Sequence, residues 1–338
     1  MYFVGQQNLV EIYFTDCVIS NIKSIPFSSI TISFLSIIHF ENIILENVTD
    51  TIQPLLHFVF NYDTVTMKNI TVNNLSGTST GLSDIIVLSN FPQTVTVVEQ
   101  LHIFNVTLDG KAIVSSITEL NQIQIINCTF EAISISSSDY MINTGLVKSV
   151  IFNSTTISNI KTTDDINTND AVLFVNTLDL NSELDTIIKD ITIDDCETPF
   201  VVLSSVINQS PTDKTLSLSN INFVNTHFEN DRTLFSTDNI QLDTSLQISM
   251  TNFIFSNISF SSSGTLIECK QLLPTKLTIT GSSFTDLNAA ILVIESSSTQ
   301  NNNLATLVQI NDTVFDNIND QFNSLIEVKE GGQLEINN

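Results

Sequence analysis

Residues 38–48 read IHFENIILENV and residues 65–75 read VTMKNITVNNL. In each, apolar side chains stand at every second position, interrupted by two asparagines five residues apart: Asn42 and Asn47, then Asn69 and Asn74. A period of two belongs to a β-strand, whose successive side chains point to opposite faces. The same reading holds for LSLSNINFVNT (216–226), ISMTNFIFSNI (248–258) and VQINDTVFDNI (308–318).

Working outward from these copies, the second anchor recurs at Asn21, Asn47, Asn74, Asn105, Ala132, Asn159, Asp195, Asn225, Asn257, Asp286 and Asn317, at spacings of 26 to 36 residues. The first anchor, five residues earlier, is polar or small: Asp16, Asn42, Asn69, Gln100, Asn127, Ser154, Asp190, Asn220, Asn252, Gly281 and Asp312. Five positions per repeat should face inward: four and two before the first anchor, one and three after it, and one after the second. Of these 55 positions 49 are apolar, and the exceptions are Ser or Thr; composition alone would place about 23 apolar residues there. A third apolar stretch follows each pair after a variable loop, as at 55–60, 85–88, 171–175, 200–203, 290–294 and 325–328.

Internal self-similarity at this period marks a solenoid. The expected fold is all-β: a right-handed parallel β-helix of about eleven coils of 26–36 residues, three strands per coil, forming one domain over residues 1–338. The hand follows from the rule for parallel crossovers. Stacked at the inter-strand spacing, eleven coils would span roughly 50 Å. Asparagine at the anchors has a mechanical explanation. It tolerates the left-handed conformation that sharp bends demand, and its amide can bond to the coils above and below. A leucine-rich repeat, the rival fold, has one strand per unit and a Leu-dominated consensus, whereas the inward positions here prefer the β-formers Ile, Val and Phe.

Three strands per coil, with coils of this length, resemble the pectin-lyase-like right-handed β-helix superfamily over the whole chain. That resemblance implies a fold, and among its enzymes polysaccharide lyases and glycoside hydrolases. The lyases bind Ca²⁺ through acidic residues and use a basic residue to remove a proton. Here the single arginine, Arg232, lies in a turn with no lysine beside it. Hydrolases resembling polygalacturonases carry Asn-Thr-Asp, Asp-Asp, Gly-His-Gly and Arg-Ile-Lys. The last two are absent, Ser236-Thr237-Asp238 only approximates the first, and the pairs Asp164-Asp165 and Asp194-Asp195 lack their partners. No catalytic residue is assigned on this basis. The degenerate Asn-, Ser-, Thr- and Ile-rich repeats are also similar to β-helical surface proteins of protists.

Composition narrows the function classes further. The chain has 42% apolar and 14% charged residues and a formal charge of −25. Nucleic-acid binding needs clustered Lys and Arg, which are missing. The carboxylate excess also opposes an anionic membrane surface, and no run approaches the 18 apolar residues of a membrane helix. The start, MYFVGQQNLVEIYF, has no basic region and breaks at Gly5-Gln6-Gln7, so it does not read as a secretory signal. Both ends fall mid-coil without a cap, so a fragment of a longer β-helical protein is expected.

Several features have inward explanations. Cys17, Cys128 and Cys196 occupy inward columns, and Cys269 follows a third strand; the expectation is free thiols without disulfide, zinc or redox chemistry. Phe130, Phe223, Phe255, Phe284 and Phe315 share one inward column, predicting an interior ring stack. Nine Asn-x-Ser/Thr sequons (Asn47, Asn69, Asn74, Asn105, Asn127, Asn153, Asn208, Asn257 and Asn311) match chance for this composition and are no evidence for secretion.

One cluster points outward. The loop 160–170 carries Asp164, Asp165 and Asp170, and the next coil brings Asp190, Asp194, Asp195 and Glu197. Hard oxygen donors converging there form the one candidate Ca²⁺ site: Asp164, Asp165, Asp170, Asp194 and Asp195. No other cofactor is expected. The functional expectation is a structural or interaction module, a rigid spacer or adhesin-like stalk. It would be extracellular or at a cell surface as part of a longer chain, with polysaccharide or surface proteins as partners. The alternative is a carbohydrate-active enzyme or polysaccharide-binding protein.

Overall fold

The bend positions organise the chain. In the computed structural model every anchor named above has a positive φ, between 47° at Asp312 and 61° at Gly281. That left-handed conformation is costly for most L-residues and accessible to Asn, Asp and Gly. The structure describes residues 2–3, 10–22, 30–32, 36–49, 56–59, 62–76, 85–89, 95–109, 112–116, 120–136, 141–143, 146–162, 173–179, 186–197, 201–207, 214–228, 233–240, 246–260, 264–271, 275–296, 307–319, 325–328 and 333–338.

These residues form an all-β parallel solenoid, with no helix among the described residues. One ladder joins the long bent strands, beginning Val10–Ile22, Ser36–Thr49, Tyr62–Ser76 and Val95–Asp109 and running on to Gln333–Asn337. A second ladder joins the shorter strands, from Tyr2–Phe3 through Leu56–Val59 and Val201–Ile207 to Ile326–Val328. Register follows the anchors. Cys17, Ile43, Ile70 and Leu101 pair in turn, each one residue past its bend. A slip of one residue would turn every inward column outward, so burial of the apolar set fixes the register.

The inward positions form one continuous core, including Ile38, Phe40, Ile43, Leu45 and Val48 in one coil and Val65, Met67, Ile70, Val72 and Leu75 in the next. The predicted Phe column is stacked where its members are consecutive. Phe223–Phe255, Phe255–Phe284 and Phe284–Phe315 have centroids 5.0, 4.8 and 5.2 Å apart with planes within 14°. Phe130 is buried in the same column, between Ile103 and Ile157. Offset stacks of this kind contribute about 0.5–1.5 kcal/mol each beyond area burial.

On the outside, the anchor amides form the ladders. Asn42 donates Nδ2–H to Asp16 (2.9 Å) and Asn69 to Asn42 (2.8 Å). On the second edge Asn47 donates to Asn21 (3.4 Å) and Asn74 to Asn47 (3.0 Å). Farther along, Asn220 donates to Asp190 (2.7 Å), Asn252 to Asn220 (3.0 Å), Asn257 to Asn225 (2.9 Å) and Asn317 to Asp286 (2.6 Å). In each of these the later coil donates to the earlier one. A carboxylate has no hydrogen to pass back, so aspartate begins a run and cannot extend one. Asp16, Asp190 and Asp286 all stand at such beginnings. Gly281 makes the same bend at φ 61°, a conformation glycine adopts without steric cost.

Four of the six Ser and Thr exceptions in the inward columns also have a structural role. Thr155, Thr226, Ser282 and Thr313 each follow an anchor, and each donates its hydroxyl to the carbonyl two residues back, at 3.1, 3.0, 3.2 and 2.8 Å. Two of them also accept a backbone N–H from the preceding coil: Cys128 N–H to Thr155 Oγ1 (3.4 Å) and Phe253 N–H to Ser282 Oγ (3.1 Å). The bend interrupts the backbone ladder, and the small polar side chain closes the gap. Thr96 differs: it is fully buried, and among the described residues its hydroxyl has no partner.

Two substitutions test these assignments by thermal unfolding. Ala132→Asn should raise the melting temperature, by relieving an alanine held at φ 53° and offering an amide to Asn105. Thr96→Val should also raise it, by removing a buried unpaired hydroxyl worth about 1 kcal/mol. A lowered value for either contradicts the corresponding assignment.

Candidate functional site

Of the five candidate Ca²⁺ ligands, Asp194 and Asp195 lie in the strand Thr186–Cys196, and Asp164, Asp165 and Asp170 lie outside the described residues. Asp195 is the exposed bend residue, with φ 52°. The half-buried Asp194 carboxylate accepts Nδ2–H of Asn225 at 3.0 Å, taking the ladder place expected of Asp195. The same one-residue displacement occurs at Asn105, which donates to Asn73 at 3.3 Å. Glu197 follows the strand, and its backbone N–H donates to Ile160 O at 2.9 Å. Among the described residues, no three His, Cys, Asp or Glu side chains come together in a way that could hold a metal ion.

The three described thiols are free and share one geometry. Cys17 donates to Thr15 O (3.4 Å), Cys128 to Ile126 O (3.3 Å) and Cys196 to Asp194 O (3.4 Å). This is the bond that Ser and Thr make at the equivalent positions, so cysteine serves here as a small donor. Burial pushes the Cys128 thiol up to about 11 and the Cys196 thiol up to about 12. The thiolate is the reactive form, so both are inert at neutral pH. Cys17 is half-exposed, and the side chain of Cys269 lies outside the described residues.

The outward faces carry scattered polar pairs. Tyr13 donates to Glu11 (2.6 Å) and stacks on His39 with centroids 4.6 Å apart. That hydrogen bond to Glu11 raises the Tyr13 phenol above its ordinary value. Lys68 and Glu99 approach to 3.9 Å on exposed side chains, a pair of little energetic weight. His227 Nδ1 lies 2.8 Å from Ser259 Oγ across neighbouring coils. A hydrolytic nucleophile also needs a third group orienting its base and donors converging on an oxyanion. Among the described residues the second nitrogen of His227 has no such partner, so the pair is a surface hydrogen bond. The Asp of Ser236-Thr237-Asp238 lies in the strand Thr233–Ile240. Nothing is described of that side chain, and Arg232 lies outside the described residues.

Comparison with protein families, with curated proteins and with solved structures finds no match to this chain. Among the described residues, no helix is long and apolar enough to cross a membrane.

Sequence reading placed the columns but missed two features of the site. The hydroxyl and thiol bonds across the bends were signalled by Ser, Thr or Cys directly after an anchor. The displacement of ladder partners onto Asn73 and Asp194 had no sequence signal beyond a second Asn or Asp beside the anchor. Alkylation of the native protein at pH 8 should modify Cys17 while leaving Cys128 and Cys196 intact, with peptide mass spectrometry as the readout. Fast modification of either buried thiol contradicts the assignment.

Proposed function

We propose that this chain is a structural or interaction module: a rigid β-helical spacer or adhesin-like stalk, displayed extracellularly or at a cell surface within a longer protein. The observation that carries the reading is the use made of its distinctive side chains. The recurrent Asn, Asp, Ser, Thr and Cys residues close bends and link coils, and the Phe residues fill the core. Extended length is what such an arrangement supplies.

The finer architecture belongs to the same proposal. It is a right-handed helix of about eleven coils of 26–36 residues, three strands to a coil, of the pectin-lyase-like type. The recurrence of paired left-handed residues five apart supports the coil length, and the two strand ladders support the division of each coil. The high negative charge suits a soluble, extended surface protein whose partners are polysaccharide or other surface proteins.

The candidate Ca²⁺ site at Asp164, Asp165, Asp170, Asp194 and Asp195 enters as a stabilising ion for the acidic edge. A carboxylate has lone pairs to spare, so the bond from Asn225 leaves Asp194 able to bind. Calorimetric titration with Ca²⁺ should give heat and a higher melting temperature; a flat titration removes the site.

The carbohydrate-active alternative is tested directly. Incubated with acidic polysaccharides, with and without Ca²⁺, the protein should release neither unsaturated products nor new reducing ends. Turnover would overturn the spacer reading.

A further inference from the structure

Six of the nine sequons begin on an anchor: Asn47, Asn69, Asn74, Asn105, Asn127 and Asn257. The repeat itself produces this coincidence. By strand alternation the residue two past an anchor is an outward position, and Thr49, Thr71, Ser76, Thr107, Thr129 and Ser259 complete the sequon there. In five of the six the amide nitrogen is already bound to a neighbouring coil: Asn47 to Asn21, Asn69 to Asn42, Asn74 to Asn47, Asn105 to Asn73 and Asn257 to Asn225.

Asn127 is the exception. Its column neighbours are Gln100 and Ser154, and among the described residues its side chain bonds to neither. The residue is exposed at the bend, between the strands Leu120–Ile126 and Thr129–Ser136. Cys128 points into the core and Thr129 is half-buried on the outer face. The non-anchor sequons differ. Asn153 is half-buried and its Oδ1 accepts from Ser154, while Asn311 is half-buried and its Oδ1 accepts from Asn337. Asn208 lies outside the described residues.

We infer that Asn127 is an acceptor for an N-linked oligosaccharide, whereas the ladder asparagines are not. In the transfer, Asn127 Nδ2 attacks the anomeric carbon of a polyprenyl-diphosphate-linked oligosaccharide. The anomeric C–O bond breaks, the diphosphate leaves with the electron pair, Nδ2–C forms, and Nδ2 gives up one proton. A sugar on Asn127 projects from an unlinked bend. On a ladder asparagine it would crowd a coil held at hydrogen-bond distance, within a spacing of about 4.8 Å.

This inference rests on the surface reading, since the acceptor must enter a glycosylating compartment. The test therefore imposes entry, by fusing a secretion leader in a eukaryotic host. Site occupancy is then read by mass spectrometry after enzymatic deglycosylation in heavy-oxygen water. Asn127 should be labelled in the secreted protein, and Asn47, Asn69, Asn74, Asn105 and Asn257 should not. Asn127→Asp, which keeps at this bend a residue that tolerates positive φ, should remove one glycan while leaving secretion unchanged. A secreted chain bare at Asn127, or one glycosylated at ladder asparagines, overturns the assignment. So does retention of the whole pool, because the chain would then fail to fold where the glycan is attached. Whether the protein from its own cells carries the glycan tests the surface reading separately.

Discussion

Two left-handed residues per repeat, five apart, are the constraint on which the rest of this structure depends. Each turns the chain, in some coils within one strand and at Asn127, Asn252, Gly281 and Asp312 between two, so one segment can lie on two sides of the solenoid while its inward columns stay in register. An ordinary L-residue in that conformation costs about 1–2 kcal/mol. Such a cost repeated along a solenoid would rival the entire stability of a typical domain. Asparagine lowers it, and then adds an amide bond to the coil before. The same residue therefore bends the chain and ties the coils together.

The direction of those ties has consequences for sequence. Because the later coil donates to the earlier one, asparagine can sit anywhere in a run, but aspartate can only open it. Asp16, Asp190 and Asp286 obey this rule, and Asp194 does so one residue before its anchor. The stretch from Gln100 to Asn159 includes Ala132 and Ser154 at anchor positions, where no amide is available to continue a ladder. There the solenoid is held by backbone pairing and by buried side chains such as Ile123, Ile125, Phe130, Val150 and Phe152. Asparagine at an anchor is thus helpful rather than indispensable, provided the core is maintained.

Much of this was legible in the sequence. Alternation around Asn42/Asn47 and its copies fixed which residues face inward, and the bends fall at the anchors, including the unlikely Ala132. Strict period and a steep conformational preference leave few other solutions. What could not be read were interactions decided by fractions of an ångström. Whether Asn225 bonds to Asp194 or Asp195 depends on side-chain reach, which a column assignment cannot resolve. The unpaired hydroxyl of Thr96 looked like any other polar exception, although it sits before the first anchor and not after one. The proposed acidic site was least legible, because three of its five carboxylates belong to a stretch of sequence that no periodicity constrains.

The anchor account separates two contributions that one residue supplies, and a single position can resolve them. Asn225 stands inside a run, donating to Asp194 and accepting from Asn257. Urea unfolding of Asn225→Gly and Asn225→Ala isolates the bend from the ladder, because both lose the amide and only glycine keeps easy access to positive φ. The account predicts that both are less stable than the parent and that the alanine variant is lower by about a further 1 kcal/mol. Equal stability of the two variants would contradict it, since the bend would then not be what the asparagine is for.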